Sequence, residues 1–146
     1  MPKCIILRGI PCSGKSTWIR KKHYIDHYGY SYKVLSCDKI RIELSNGKYV
    51  YSKSNEESVW KEFYLRIEDS VKDNENFIID NTNLKEYYIN QITSRLTGNY
   101  EIEIVTFHIS LWKANLRNII RRIKTGKWIP FKVMKSMYIN YKKLKI

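Results

Sequence analysis

Glycine, proline and cysteine are scarce in this sequence: 6, 3 and 3 of 146 residues. With hydrophobic residues at 43% and charged residues at 28%, so few breakers indicate an ordered globular chain and exclude a linker or low-complexity segment. The three cysteines, Cys4, Cys12 and Cys37, are odd in number and form no C-x-x-C pair. That excludes a disulfide framework and a cysteine zinc site and leaves free thiols. Long apolar runs are also missing. The first, Cys4–Leu7, breaks at Arg8, too short for a signal segment or a membrane span, so a cytoplasmic protein with no membrane partner is expected. Nothing resembles an interdomain linker, and a single domain over residues 1–146 is expected.

One region lacks acid altogether. Residues 1–103 hold 16 Lys+Arg against 14 Asp+Glu, whereas residues 104–146 hold 11 Lys+Arg and no acid, so nearly all of the net charge of +13 sits in the last third. Such a field attracts polyanions, of which nucleic acid is the commonest in a cell; a solvated basic face is the alternative.

What is present alternates between two periodicities. "KCIIL", "KVLS" (Lys33–Ser36), "FIID" and "EIEIVTF" read as short strands. Between them the pattern predicts a helix from Gly14 to about Tyr28, a brief one from Asp38 to the "SNGK" stop, an amphipathic one from Ser54 to Val71, and one from Lys85 to Leu96. Trp60, Phe63, Ile67 and Val71 mark the buried face of the long helix. Two more helices follow, separated by a loop at "TGKWIP". Strands alternating with helices imply an α/β fold with a four-stranded, mainly parallel sheet flanked by helices, whose ligand site lies at the carboxyl ends of the strands.

"GIPCSGKST" fills G-x-x-x-x-G-K-S/T without deviation, between a strand and a helix. In such a loop Gly9 and Gly14 let backbone N–H groups turn towards phosphates, Cys12, Ser13 and Thr17 line the turn, Lys15 adds a point charge, and the Ser16 hydroxyl ligates Mg²⁺. ATP and Mg²⁺ are therefore expected. Asp80, ending "FIID", is the candidate acid for the metal side; otherwise it merely starts the "DNTN" turn. "SCDKIR" follows the second strand, placing Asp38 and Arg41 on one helix face at the same sheet edge. Asp38 is a candidate general base for a hydroxyl attacking the γ-phosphate, and Arg41 a candidate grip on an acceptor phosphate; otherwise Asp38 is a helix N-cap.

The segment "LWKANLRNIIRRIK" is two-faced: Trp112, Leu116, Ile119, Ile120 and Ile123 on one side, Lys113, Arg117, Arg121 and Lys124 on the other. The apolar side is expected to be buried and the basic ridge to fold over the phosphates as a C-terminal lid, with Arg121 clamping the transferring group. A solvated basic helix is the alternative. His23 and His27 stand four apart but have no third ligand partner, so an exposed helical face is expected there.

Taken in order, these elements resemble the polynucleotide 5'-hydroxyl kinases, P-loop kinases of the bacteriophage type. "GIPCSGKSTW" is similar to the family's P-loop, "SCDKIR" to its Asp-x-x-Arg element, "IIDNTNL" to its next strand and turn, and "LRNIIRR" to its arginine-bearing lid. The resemblance implies transfer of the γ-phosphate of ATP to the 5'-OH of DNA or RNA, with Asp38 as base and Arg41 on the acceptor's 3' phosphate. It also places Asn81, Thr82 and Asn83 on the substrate side, and leaves the lid arginine open between Arg121 and Arg122. The family's bifunctional members carry a phosphatase with an Asp-x-Asp pattern, which this sequence lacks, so kinase activity without 3' phosphatase activity is expected. A mononucleotide or small-molecule kinase of the same architecture is the alternative.

Overall fold

The apolar runs of the first and third strands are buried on both faces between layers of helices, as parallel-sheet interiors are, whereas the fourth, with Glu101 to Ile104 exposed, forms an edge. In the computed structural model, which describes residues 1–22, 32–48 and 52–144, the elements run β1 (Lys3–Arg8), α1 (Lys15–Lys22), β2 (Lys33–Leu35), α2 (Cys37–Leu44), α3 (Lys53–Lys72), β3 (Phe77–Asp80), α4 (Glu86–Thr93), β4 (Glu101–Thr106), α5 (Leu111–Thr125) and α6 (Phe131–Lys142). The expected continuation of α1 beyond Lys22, with His23 and His27, lies outside the described residues. No described helix is long and apolar enough to cross a membrane.

The sheet has the order β2-β3-β1-β4, and every pair in it is parallel, not merely most of them. Because the chain leaves β1 for β2, returns to β3 and then crosses to β4 on the far side of β1, the order reverses at β1 and opens a crevice at its carboxyl end. Register aligns that crevice: Leu7 stands opposite Asp80 on β3 and Val105 on β4. The P-loop and Asp80 therefore leave the sheet side by side.

Alternation divides β1 between two cores. Cys4 and Ile6, with Phe77 and Ile79, pack under Val59, Phe63, Ile67 and Val71 of α3 and under Ile40, Ile89 and Ile92. Ile5, Leu7 and Ile78 face Trp18, Ile19, Val105 and Phe107. Each fully buried side chain here contributes about 1.5–3 kcal/mol. On α3 the innermost line is Val59–Phe63–Ile67. Trp60, expected on that line, sits beside it, edge-on to Phe63 and stacked at 4.9 Å on Tyr88.

The expectation for α5 is overturned. Its buried residues are Ala114 and Asn118, while Trp112, Leu116, Ile119, Ile120 and Ile123 are 66%, 51%, 41%, 43% and 81% exposed. Asn118 fixes this orientation: its amide donates to the Ile129 carbonyl at 2.6 Å and accepts from the Ile129 N–H at 3.2 Å. A buried amide satisfied on both sides holds the helix with its small-residue face inward, because turning it outward would strand the Ile129 backbone groups. Ala114 and Ile129 then join Ile10, Leu84 and Met134 in a third core between α5, α6 and the P-loop.

Candidate active site

The P-loop leaves β1 at Gly9, whose N–H donates to the Thr82 carbonyl at 3.0 Å, tying the loop to the turn after β3. Cys12 at φ 66° and Gly14 at φ 109° reverse the backbone, a path open to Gly14 because it has no Cβ. Helix α1 begins at Lys15, so its first N–H groups have no intrahelical acceptor and point into the crevice with the positive end of the helix dipole. Lys15 is 9% exposed, with Nζ donating to the carbonyls of Gly9 at 2.7 Å and Ile10 at 3.0 Å. Burial lowers its pKa to about 8, partly offset by the Asp80 and Asp38 carboxylates. An anion in the crevice would favour its charged form further.

These groups open into a cavity of about 790 Å³, large enough for a nucleotide and part of a second substrate. Its lining includes Cys12, Ser13, Gly14, Lys15, Ser16 and Thr17 on one side and Asp38, Arg41, Asp80, Asn81, Thr82 and Asn83 on another, with Arg117 and Arg121 above. Arg117 Nη1 donates to the Cys12 carbonyl at 3.1 Å, fastening α5 over the loop. Two expected residues fall outside the lining. Gly9 lies beneath it, and Arg122 turns away to sit 4.6 Å over the Trp128 ring. Of the two lid arginines left open, Arg121 is the one facing the cavity.

Two polar atoms of the lining residues, Ser13 Oγ and Arg121 Nε, are buried with no hydrogen-bond partner among the described residues. Buried polar atoms without partners are rare, and both point to a polar ligand such as a phosphate chain. A metal fits the same space. Ser16 and Asp80 are the candidate protein ligands, and no group of three His, Cys, Asp or Glu converges among the described residues. Mg²⁺ suits so sparse a protein ligand set, since it keeps most of its water and phosphate oxygens. Burial raises the Asp80 pKa, with Lys15 opposing the shift and Asp38 reinforcing it; a cation beside it would reverse this.

The side of the cavity that holds Asp38 and Arg41 is more tightly wired than the sequence suggests. Ser36, not Asp38, caps α2, its hydroxyl accepting from the Lys39 N–H at 3.4 Å, which removes the N-cap reading of Asp38. Instead Asp38 Oδ1 accepts from Arg41 Nη1 at 2.6 Å and Oδ2 from Lys127 Nζ at 2.9 Å. Burial pushes the Asp38 pKa up, but Lys127 and Arg41 outweigh it and hold the carboxyl below its ordinary range. Arg41 in turn makes a two-pronged bond to Glu56, Nε to Oε2 at 2.7 Å and Nη2 to Oε1 at 2.5 Å. The guanidinium edge expected to grip an acceptor phosphate is thus engaged by Glu56.

The "DNTN" turn is largely structural in its bonding. Asn81 accepts from the Cys37 N–H at 3.0 Å, joining β3 to α2, and Asn83, 2% exposed, donates to the Leu7 carbonyl at 2.7 Å. Glu56, Trp60, Tyr88 and Lys127 line the cavity without having been expected there. No local pattern marks them, since each reaches the acceptor side only through the tertiary fold. Cys37 also lines it, but burial raises its thiol to about 12, so it carries no nucleophile.

A phosphate-cradling loop after the central strand of a parallel sheet, facing an acid on the next strand and roofed by a basic helix, defines a kinase of the P-loop class. The chain belongs to the AAA domain family, whose pattern matches residues 4–144. A structure of the Pnkp1/Rnl/Hen1 RNA repair complex is similar with a TM-score of 0.81 at 26% identity, over 97% of this chain and 44% of that one. A second structure of the Pnkp1/Rnl/Hen1 complex gives 0.66 at 27% identity, over 80% of this chain and 38% of that one. The chain thus spans less than half the length of these relatives. A gluconokinase from Sinorhizobium meliloti 1021 shares the fold, with a TM-score of 0.57 at 17% identity over 95% of this chain and 74% of that one. No curated protein sequence matches the chain.

Proposed function

We propose that the chain is a polynucleotide 5'-hydroxyl kinase, transferring the γ-phosphate of ATP to the 5'-OH of a nucleic acid end. The observation that carries this reading is Asp38: a carboxylate in the same cavity as the P-loop, kept in its ionised form by Lys127 and Arg41 and a stronger base once Lys127 turns away. A hydroxyl acceptor needs such a base, whereas a phosphate acceptor arrives already ionised.

Lys15 and the amides at the start of α1 hold the β and γ phosphates. Ser16 and Asp80 would hold Mg²⁺, which would supply neutralisation of phosphate charge. Asp38 takes the proton of the 5'-OH as its oxygen forms a bond to the γ phosphorus, and the bond from that phosphorus to the bridging oxygen breaks, releasing ADP. Arg121 offsets charge on the transferring group from the lid. Lys127 turns from Asp38 towards a phosphate of the incoming strand, a task for which Arg41, clamped by Glu56, is less suited. Arg41 orients the base instead.

A polynucleotide acceptor is favoured over a small metabolite by three features: the stacked Trp60–Tyr88 pair on the acceptor side, the acid-free basic region from residue 104 onward, and the similarity to the Pnkp1 structures. Stacked aromatics and cations are what a strand end engages. The test is incubation with labelled ATP and Mg²⁺ against 5'-OH DNA, 5'-OH RNA, a 3' nucleoside monophosphate, a 5' mononucleotide and a sugar acid. Label on the 5' ends of the oligonucleotides is expected; label on the 5' mononucleotide or the sugar acid alone would overturn the assignment.

A further inference from the structure

The outer face of α5 has no part in the site just described, and its pattern is that of a helix-pairing seam. Trp112, Leu116, Ile119 and Ile123 follow one another at intervals of four, three and four residues, with Ile120 beside them. At 3.6 residues per turn they form one stripe opposite the inward-facing Ala114 and Asn118. All five are at least 41% exposed, and five large apolar residues aligned on one helix face are more than scattered surface residues explain. The charged residues along its borders are all cationic: Lys113 lies over the Trp112 ring at 5.7 Å, Lys124 stands on the same side and Arg122 on the other beside the neutral Asn115, and α5 carries no acid.

We propose that this stripe is a docking surface for an amphipathic helix of another protein, one with an apolar seam bordered by Asp and Glu. The borders select that occupant. A second copy pairing through the same face would set Lys113, Arg122 and Lys124 against the same three cations, within a region that contains no acid from residue 104 onward. Nucleic acid suits the cations and the Trp112 ring but not the rest of the seam, because Leu116, Ile119, Ile120 and Ile123 offer neither a stacking surface nor a donor. An acid-bordered helix buries the seam and pairs the borders together. Because the inner face of the same helix holds Arg117 on the Cys12 carbonyl, an occupant would bear on the lid while leaving the cavity open.

The probe is a synthetic helix with a leucine seam and Glu at the flanking positions, compared with the same seam flanked by Lys, each titrated against the full chain by fluorescence anisotropy. The Glu-flanked peptide is expected to bind at least about tenfold tighter at low salt, with the gap narrowing as salt screens the borders. Leu116→Glu and Ile123→Glu should remove that binding while leaving the melting transition and ATP binding unchanged, since both side chains are on the surface. Equal binding of the two peptides, or binding of neither, refutes the proposal. So does displacement of the peptide by a 5'-OH oligonucleotide, or sedimentation of the free chain as a dimer that Ile123→Glu dissociates.

Discussion

Replacing Lys127 by Met removes one of the two cations on Asp38 while keeping most of the side-chain volume. At 2.9 Å, two unit charges attract by about 1.4 kcal/mol in water and by several times that in a low-dielectric interior. The lysine and aspartate side chains are 28% and 42% exposed, which puts the pair near the solvent end, and screening leaves about 1 kcal/mol. A double-mutant cycle of Lys127→Met and Asp38→Asn, followed by urea unfolding at pH 7, should return a coupling of that size, about fivefold in the folding equilibrium. The pH dependence has a definite sign. A carboxyl held below its ordinary range contributes stability that is present above its unfolded pKa and lost as pH falls through its folded pKa. Lys127→Met weakens that contribution and raises the proton affinity of Asp38, so the acid limb of kcat/KM for a 5'-OH oligonucleotide should move to higher pH. KM should rise for acceptors carrying a 3' phosphate and stay unchanged for a bare nucleoside. Zero coupling with an unmoved acid limb would mean that the contact is incidental and that Asp38 is not the group whose ionisation controls the rate.

The other substitutions separate roles that the geometry distinguishes. Arg121→Ala should lower kcat by about 10²–10³-fold, while Arg122→Ala, which loses only its place over Trp128, should stay within about threefold; steady-state kinetics of both decides the lid arginine. Gly9→Ala introduces a Cβ 2.8 Å from Ser13 Oγ, 3.1 Å from Phe107 Cβ and 3.3 Å from the Phe107 carbonyl, and should weaken ATP binding as read by calorimetry. Asp80→Asn should raise the unfolding midpoint of the nucleotide-free protein while reducing turnover. Burial raises this carboxyl above its unfolded value, so its charge at neutral pH works against folding; a lower midpoint would contradict the assignment. Phe63→Ala, at the centre of the larger core with 0% exposure, should cost about 3–5 kcal/mol in urea unfolding.

The fold was legible because its signals are local. A three-residue apolar run bounded by polar residues, as at the start of "FIID", has few places to go other than the interior of a parallel sheet, and the P-loop carries its own strand-loop-helix context. The end of α2 was legible within a residue or two, since Asn46 and Gly47, read as a stop, take positive φ just beyond it, whereas α4 ends at Thr93, three residues before the expected Leu96. The acceptor side was less so. That Asp38 and Arg41 share a helix face follows from their spacing, but that Glu56 clamps Arg41 and Lys127 caps Asp38 depends on α3 and on the α5–α6 connection arriving from 15 and 89 residues away.

Helix α5 shows where periodicity stops being informative. An amphipathic pattern states that a helix has two unlike faces, and the usual inference is that the apolar one is inside. Here the inward face is chosen by one buried amide. Asn118 holds both backbone groups of Ile129, and turning α5 to bury Trp112 and Ile123 would strand them along with the contact of Arg117 to the P-loop. Two buried unsatisfied backbone groups cost about 1–3 kcal/mol each, comparable to what the half-exposed apolar residues would gain by moving inward. The basic ridge is then free to face the cavity and the apolar stripe is left outward. A basic ridge and an apolar stripe cannot both face the core on one helix, so a lid that needs its arginines inside must leave its apolar residues for another surface to cover.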